Sequence, residues 1–264
     1  MLSIQRLLNY RWRVPNEPFT VTTGDGVRIA GTALASDDTS RPALVLAHGL
    51  MGWHRRERFA LFAEELTRWF AVYTVDLRGH GASGGVGDYG GAEIHDVDAV
   101  VALARGRGHT TVVTMGMSMG AISVIRHAAL LGGVDAVVPI SSLAWWNWRD
   151  TAHPEVTGWM DRRIAAKRGR LLLRLWGARL PDHWTEPASP EDVIAKIAPT
   201  PVLLVHGDHD AMFTLAHAER LFDLAGEPKR LLVGRGGRHA EDLIQPGFAE
   251  LLARHISELI ERRP

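Results

Sequence analysis

Apolar residues recur along this chain in two alternating rhythms. Short continuous runs, Ala43 to Ala47 and Phe70 to Val75, have the length and composition of strands buried on both faces. Between them Phe59, Phe62, Leu66 and Trp69 recur at spacings of three and four, which predicts an amphipathic helix over Arg56 to Trp69. The same exchange follows with a helix carrying Ile94, Val97, Val100 and Val101, a strand through Val112, Val113 and Thr114, and a helix bearing Ile122, Ile125 and Ala129. Val134 to Ile140, Pro201 to Val205 and Arg230 to Val233 supply further strands. The helix of Leu221, Phe222 and Ala225 separates the last two, and a final helix carries Phe248, Leu251, Leu252, Ile256 and Leu259. Ahead of all these, Phe19 to Thr23 and Val27 to Leu34 flank Gly24-Asp25-Gly26, a turn suited to an antiparallel hairpin.

Strand and helix alternating in this way predict an α/β fold with a mostly parallel, twisted sheet covered by helices on both faces. The rhythm stops at Ser141. From Ser142 to about Pro199 there is no apolar strand, yet six of the nine tryptophans lie there: Trp145, Trp146, Trp148, Trp159, Trp176 and Trp184. The expected organisation is a core of residues 1–141 and 199–264 interrupted by an insertion, 142–198.

Charge and cysteine content narrow the function. Lys+Arg and Asp+Glu balance at 30 each, so no global field draws in nucleic acid, and recognition must be local. With no cysteine there is neither a disulfide framework nor a thiolate metal site. Gln5, Arg6 and Asn9 interrupt the apolar positions near the start, and no apolar run approaches a membrane span. A soluble, cytoplasmic protein is the expectation.

The candidate chemistry gathers where strands end. Gly116-Met117-Ser118-Met119-Gly120 sits between a strand and a helix, the setting of a G-x-S-x-G nucleophile elbow in which a sharp turn exposes the serine hydroxyl. A serine needs a base to take its proton and a third group to hold that base. Later strand ends supply both types: His206-Gly207-Asp208-His209-Asp210, and Gly234 to His239. Asp208 competes with Asp210 for the acidic role. Histidines 206 and 209 with Asp208 imitate a metal cluster but have no matching ligands elsewhere. Gly79, Gly81 and Gly84 satisfy G-x-G-x-x-G, but further glycines extend that loop before any helix begins, which argues against a dinucleotide site.

In this order the segments resemble the α/β-hydrolases, specifically their esterase, monoacylglycerol lipase and serine aminopeptidase-like group. His48-Gly49 is similar to that family's oxyanion loop, Asp76 to Ser83 to its D-x-R-G-H-G-x-S segment, and Asp210 falls in its H-G-x-x-D segment. The resemblance implies that Ser118 attacks an acyl carbon, that His239 is the base and that Asp210 orients it. It also implies that the backbone N–H groups of Leu50 and Met119 bind the oxyanion. No metal or cofactor is called for. Two departures stand out: Thr214 where the family often has proline, and Arg238 where it often has a small residue.

The implied activity is hydrolysis of a small-molecule carboxylic ester through an acyl-enzyme. Thioester hydrolysis or acyl transfer from coenzyme A or an acyl carrier is the alternative, and a non-catalytic binding module is a third. By the same resemblance the insertion forms a cap whose Trp145, Trp146 and Trp148 contact substrate. Arg162 to Arg179 contains seven basic residues and no acidic one beside Leu171, Leu172, Leu175 and Trp176, a basic amphipathic stretch that suits a membrane surface or an acyl carrier.

Overall fold

The computed structural model describes residues 4–146 and 167–261. Its eight strands are β1 Asn16–Thr22, β2 Arg28–Leu34, β3 Ala43–Ala47, β4 Ala71–Asp76, β5 Val112–Met117, β6 Ala136–Ile140, β7 Val202–Gly207 and β8 Lys229–Gly234. They form one sheet in the order β1-β2-β4-β3-β5-β6-β7-β8. The hairpin β1–β2 and its junction with β4 are antiparallel, and every pairing from β4 to β8 is parallel. The expected mostly parallel sheet is therefore present.

Side-chain alternation on β3 shows how the two faces are filled. Leu44 and Leu46 join Phe59 and Phe62 of helix α1 (Glu57–Leu66) and Leu252 and Ile256 of the C-terminal helix Phe248–Glu261 on one side. On the other, Ala43, Val45 and Ala47 meet Val97 and Val100 of α2 (Ile94–Gly106), Val124 and Ile125 of α3 (Met119–Leu130), and the layer that includes Leu221 of Leu215–Leu224. All five β3 side chains are fully buried, as a continuous apolar run requires.

Between β6 and β7, a helix α4 (Lys167–Trp176) is followed by the helical turns Pro190–Val193 and Ile194–Ile197. Val193, Ile194 and Ile197 are buried in the same cluster as α3, so part of the 142–198 interval belongs to the packed core. Its short helices carry the apolar positions that the sequence displayed without a strand rhythm. Among the described residues no helix is long and apolar enough to cross a membrane.

Candidate active site

Ser118 follows β5 directly and caps α3 with φ 54° and ψ −115°, a left-handed conformation that side chains other than glycine rarely adopt. Its neighbours make this turn possible. A Cβ on Gly116 would lie 2.1 Å from the Gly120 carbonyl oxygen, and one on Gly120 would lie 2.5 Å from that of Ala47. Only hydrogen fits at either position, and the strand, turn and helix close around the serine.

From the end of β8, His239 reaches back across the sheet. Its Nε2 lies 2.9 Å from Ser118 Oγ and its Nδ1 lies 2.7 Å from Asp210 Oδ2. The Ala240 N–H donates to Ser141 Oγ at 2.9 Å, tying the histidine loop to the end of β6. Asp210 also accepts the Met212 and Phe213 N–H groups on Oδ1 at 2.8 and 3.0 Å. Burial pushes this carboxyl toward its neutral form, but the His239 hydrogen bond, its charge and the Phe213 amide outweigh that and hold it below the usual carboxylate range. Asp208 points elsewhere: its Oδ1 accepts the Gly236 N–H at 2.7 Å and braces the two loops. His206 Nε2 donates to the Phe213 carbonyl at 2.9 Å, also a loop contact. No three His, Cys, Asp or Glu side chains gather in metal-binding geometry among the described residues.

The loop after β3 is held from below by two buried histidines whose rings are 5.1 Å apart. His48 Nε2 accepts the Leu77 N–H at 3.1 Å, and its Nδ1 donates to the Gly49 carbonyl. His80 Nε2 accepts the Met51 N–H at 3.3 Å, and its Nδ1 donates to the Arg78 carbonyl. Each uses one nitrogen as donor and the other as acceptor, which only neutral imidazole can do. Burial lowers both, His80 to about 3. Beneath them Asp76 accepts the His54 and Ala82 N–H groups, and Arg78 bridges Asp96 and Asp25. The D-x-R-G-H-G-x-S segment is thus a scaffold for the loop that carries Leu50.

A cavity of about 540 Å³ opens over Ser118, with Leu50 and Met119 in its lining. Its apolar wall is built by Ile122, Leu143, Trp146, Met212 and Phe213, which pack as one cluster. Trp146 and Tyr89 each meet Trp184 edge to face, at 5.1 and 5.3 Å between ring centroids. The lining also carries ion pairs, Arg56 with Glu241 at 3.3 Å and Arg58 with Asp242 at 3.0 Å. Burial raises the Glu241 carboxyl against the pull of both arginines.

Of the three tryptophans expected at substrate, Trp146 lines this cavity. Trp145 does not: its ring packs 3.9 Å from that of His217, against the core. Trp148 lies outside the described residues. Arg238 is exposed and outside the cavity. Thr214 stands at the N-cap of its helix with extended backbone but makes no capping hydrogen bond. Tyr89, Trp184, Met212 and Phe213 were missed in the sequence. Phe213 is close to the acid, and its distance from Asp210 in the chain is the one signal that pointed to it.

Tyr89 is held by a titratable clamp. Glu93, fully buried, accepts the Asp88 and Gly90 N–H groups on its two carboxylate oxygens, and Arg126 donates to the carbonyls of Gly90 and Gly91. Burial pushes Glu93 up to about 7 and the neighbouring Asp96 up to about 6. A raised carboxyl holds its proton more tightly folded than unfolded, so its stabilising contribution is complete below the unfolded pKa and is lost as pH rises through the folded value. Melting temperature is therefore expected to fall as pH rises from about 4 to about 7, and more shallowly in Glu93→Gln. Parallel pH profiles of the two proteins in a thermal melt would refute the assignment.

A model of the alpha/beta hydrolase family matches residues 44–262. The chain is 28% identical over 242 residues to the uncharacterized protein YfhR of Escherichia coli O157:H7, covering 87% of this chain and 75% of that protein. In fold it is similar to the esterase Pf2001 of Pyrococcus furiosus, with a TM-score of 0.72 and 19% identity over 96% of both chains. It is also similar to the esterase RhEst1 of Rhodococcus sp. ECU1013, with a TM-score of 0.69 and 18% identity over 92% of this chain and 99% of that one. With an elbow serine, a strand-end histidine and a matching profile from β3 to the last helix, the chain belongs to the alpha/beta hydrolase family.

Proposed function

We propose that this protein is a serine hydrolase that cleaves carboxylic esters through an acyl-enzyme on Ser118. The observation that carries this reading is the unbroken chain from Ser118 Oγ to His239 Nε2 at 2.9 Å and from His239 Nδ1 to Asp210 Oδ2 at 2.7 Å. Asp210, held ionised, accepts the Nδ1–H of His239 and leaves Nε2 free to accept the serine proton. Ser118 Oγ then bonds to the acyl carbon while the carbonyl electrons move onto oxygen. The N–H groups of Leu50 and Met119 receive that oxyanion, a contribution on the order of 10²- to 10³-fold per donor. His239 returns the proton to the departing alkoxide, and a water repeats the sequence to release the acid and restore Ser118.

The two kinds of lining divide the substrate between them. The apolar cluster of Ile122, Leu143, Trp146 and Phe213 takes the acyl chain, and the ion-paired side chains of Arg56 and Glu241 contact the leaving alcohol. Within the 142–198 interval, Trp146, Arg170 and Trp184 line the same cavity as Ser118, which supports reading this part as the cap. The esterases Pf2001 and RhEst1 share the fold and support the ester as the bond cleaved.

Exposing the protein to a fluorophosphonate, reading its intact mass and then assaying matched ladders of oxoesters and thioesters tests the reading. A single adduct with faster turnover of oxoesters is the expected result. Faster turnover of thioesters would move the assignment to acyl-carrier chemistry, and folded protein that neither labels nor turns over would end it.

A further inference from the structure

Helix α4 presents two unlike faces. Leu173 is buried and packs with Leu50 and Met51 of the loop beside Ser118, and Arg170 on the same helix lines the cavity and pairs with Asp182 at 3.3 Å. On the other side Leu171, Leu172 and Leu175 stand 60%, 57% and 45% exposed, flanked by the exposed Arg168 and Arg174. The spacing of three and four residues puts these leucines on one stripe. Next to α4 lies the turn Ile4–Leu7, where the Gln5 side chain is buried against Gly177 and Leu7 and Leu8 stand exposed. Five exposed leucines therefore lie on α4 and on the N-terminal segment that contacts it, and α4 itself reaches the cavity through Arg170.

The charge around this patch selects its partner. The helix sequence KRGRLLLRLW carries four basic residues and no acidic one, in a chain whose total charge is zero. A protein partner burying the leucines would have to supply carboxylates for arginines at the same depth. An interface of acyl chains below anionic headgroups satisfies both at once, because leucines enter the apolar layer while long arginine side chains reach up to the phosphates. We propose that the outer face of α4, with Leu7 and Leu8, docks on an anionic lipid surface, so that the cavity mouth faces the layer from which an amphipathic ester would be drawn. Docking needs no chemistry at Ser118, so it stands or falls separately from the hydrolase reading.

Sedimentation with vesicles tests it. Wild-type protein should pellet with vesicles of equal parts phosphatidylglycerol and phosphatidylcholine, weakly with phosphatidylcholine alone, and less as salt is raised. Arg168→Gln and Arg174→Gln should each weaken binding by about fivefold. Leu171→Ser with Leu175→Ser should weaken it on both vesicle types. Thermal melts of the same variants establish that each is folded, and the two arginine changes lie at exposed positions where folding does not depend on them. Wild-type protein remaining in the supernatant with anionic vesicles, or pelleting equally in all variants, overturns the proposal. So does arginine-dependent retention on immobilised coenzyme A without vesicle binding, which would assign the patch to a soluble acyl carrier.

Discussion

Ser118→Ala is expected to lower kcat for ester hydrolysis on the order of 10⁶-fold and to abolish the fluorophosphonate adduct, with little change in melting temperature. The magnitude follows from the cooperation of the three side chains. Once the nucleophile is gone, His239 and Asp210 have no proton to move, and only the oxyanion donors and the cavity remain to favour reaction with water. The hydroxyl makes one hydrogen bond, to His239, so its loss leaves no buried group newly stranded in the core. Alanine retains the Cβ already accommodated at φ 54°, and the elbow keeps its shape. Intact mass and initial rates on a short soluble ester check this. An adduct retained by the variant would place the nucleophile elsewhere.

Asp210→Asn is expected to cost about 10⁴-fold in kcat while leaving substrate affinity nearly unchanged. Asparagine is the same size and can keep its oxygen on the Met212 and Phe213 N–H groups. That choice turns its NH₂ toward His239 Nδ1, which must then act as acceptor. The imidazole proton moves to Nε2, the nitrogen facing Ser118, where a base is needed. The imidazolium formed during attack also loses its buried counter-charge. Steady-state kinetics would show the loss in kcat with KM held, and a variant of near-native rate would assign the orienting role to another group.

Much of this was legible in the chain because burial and glycine leave direct traces. Ala43 to Ala47 is apolar throughout, and β3 is buried on both faces; Gly116 and Gly120 bracket Ser118 because neither position has room for a Cβ. Strand order was not legible. The β4 strand enters between β2 and β3, and nothing in Ala71–Asp76 states which neighbours it will pair with. Cavity walls were only half legible. Tryptophans 145 and 146 are adjacent in sequence, yet one packs on His217 and the other faces the cavity, a division set by the direction of the chain after β6. Glu93 left no pattern at all, since its role depends on the two amides it clamps across a turn.

The strand order has a consequence for the nascent chain. Ser118 and His239 are 121 residues apart, and His239 is carried by the loop after β8, which adds to the sheet only by pairing with β7. While synthesis is still short of β8, the elbow can form on β5 but has no base, and pairings of such long sequence separation are slow to close. A partly made chain therefore carries an unactivated serine, incapable of attacking the acyl groups around it. Reactivity is acquired in one late step, when the sheet receives its last strand, and its appearance during refolding would time that step.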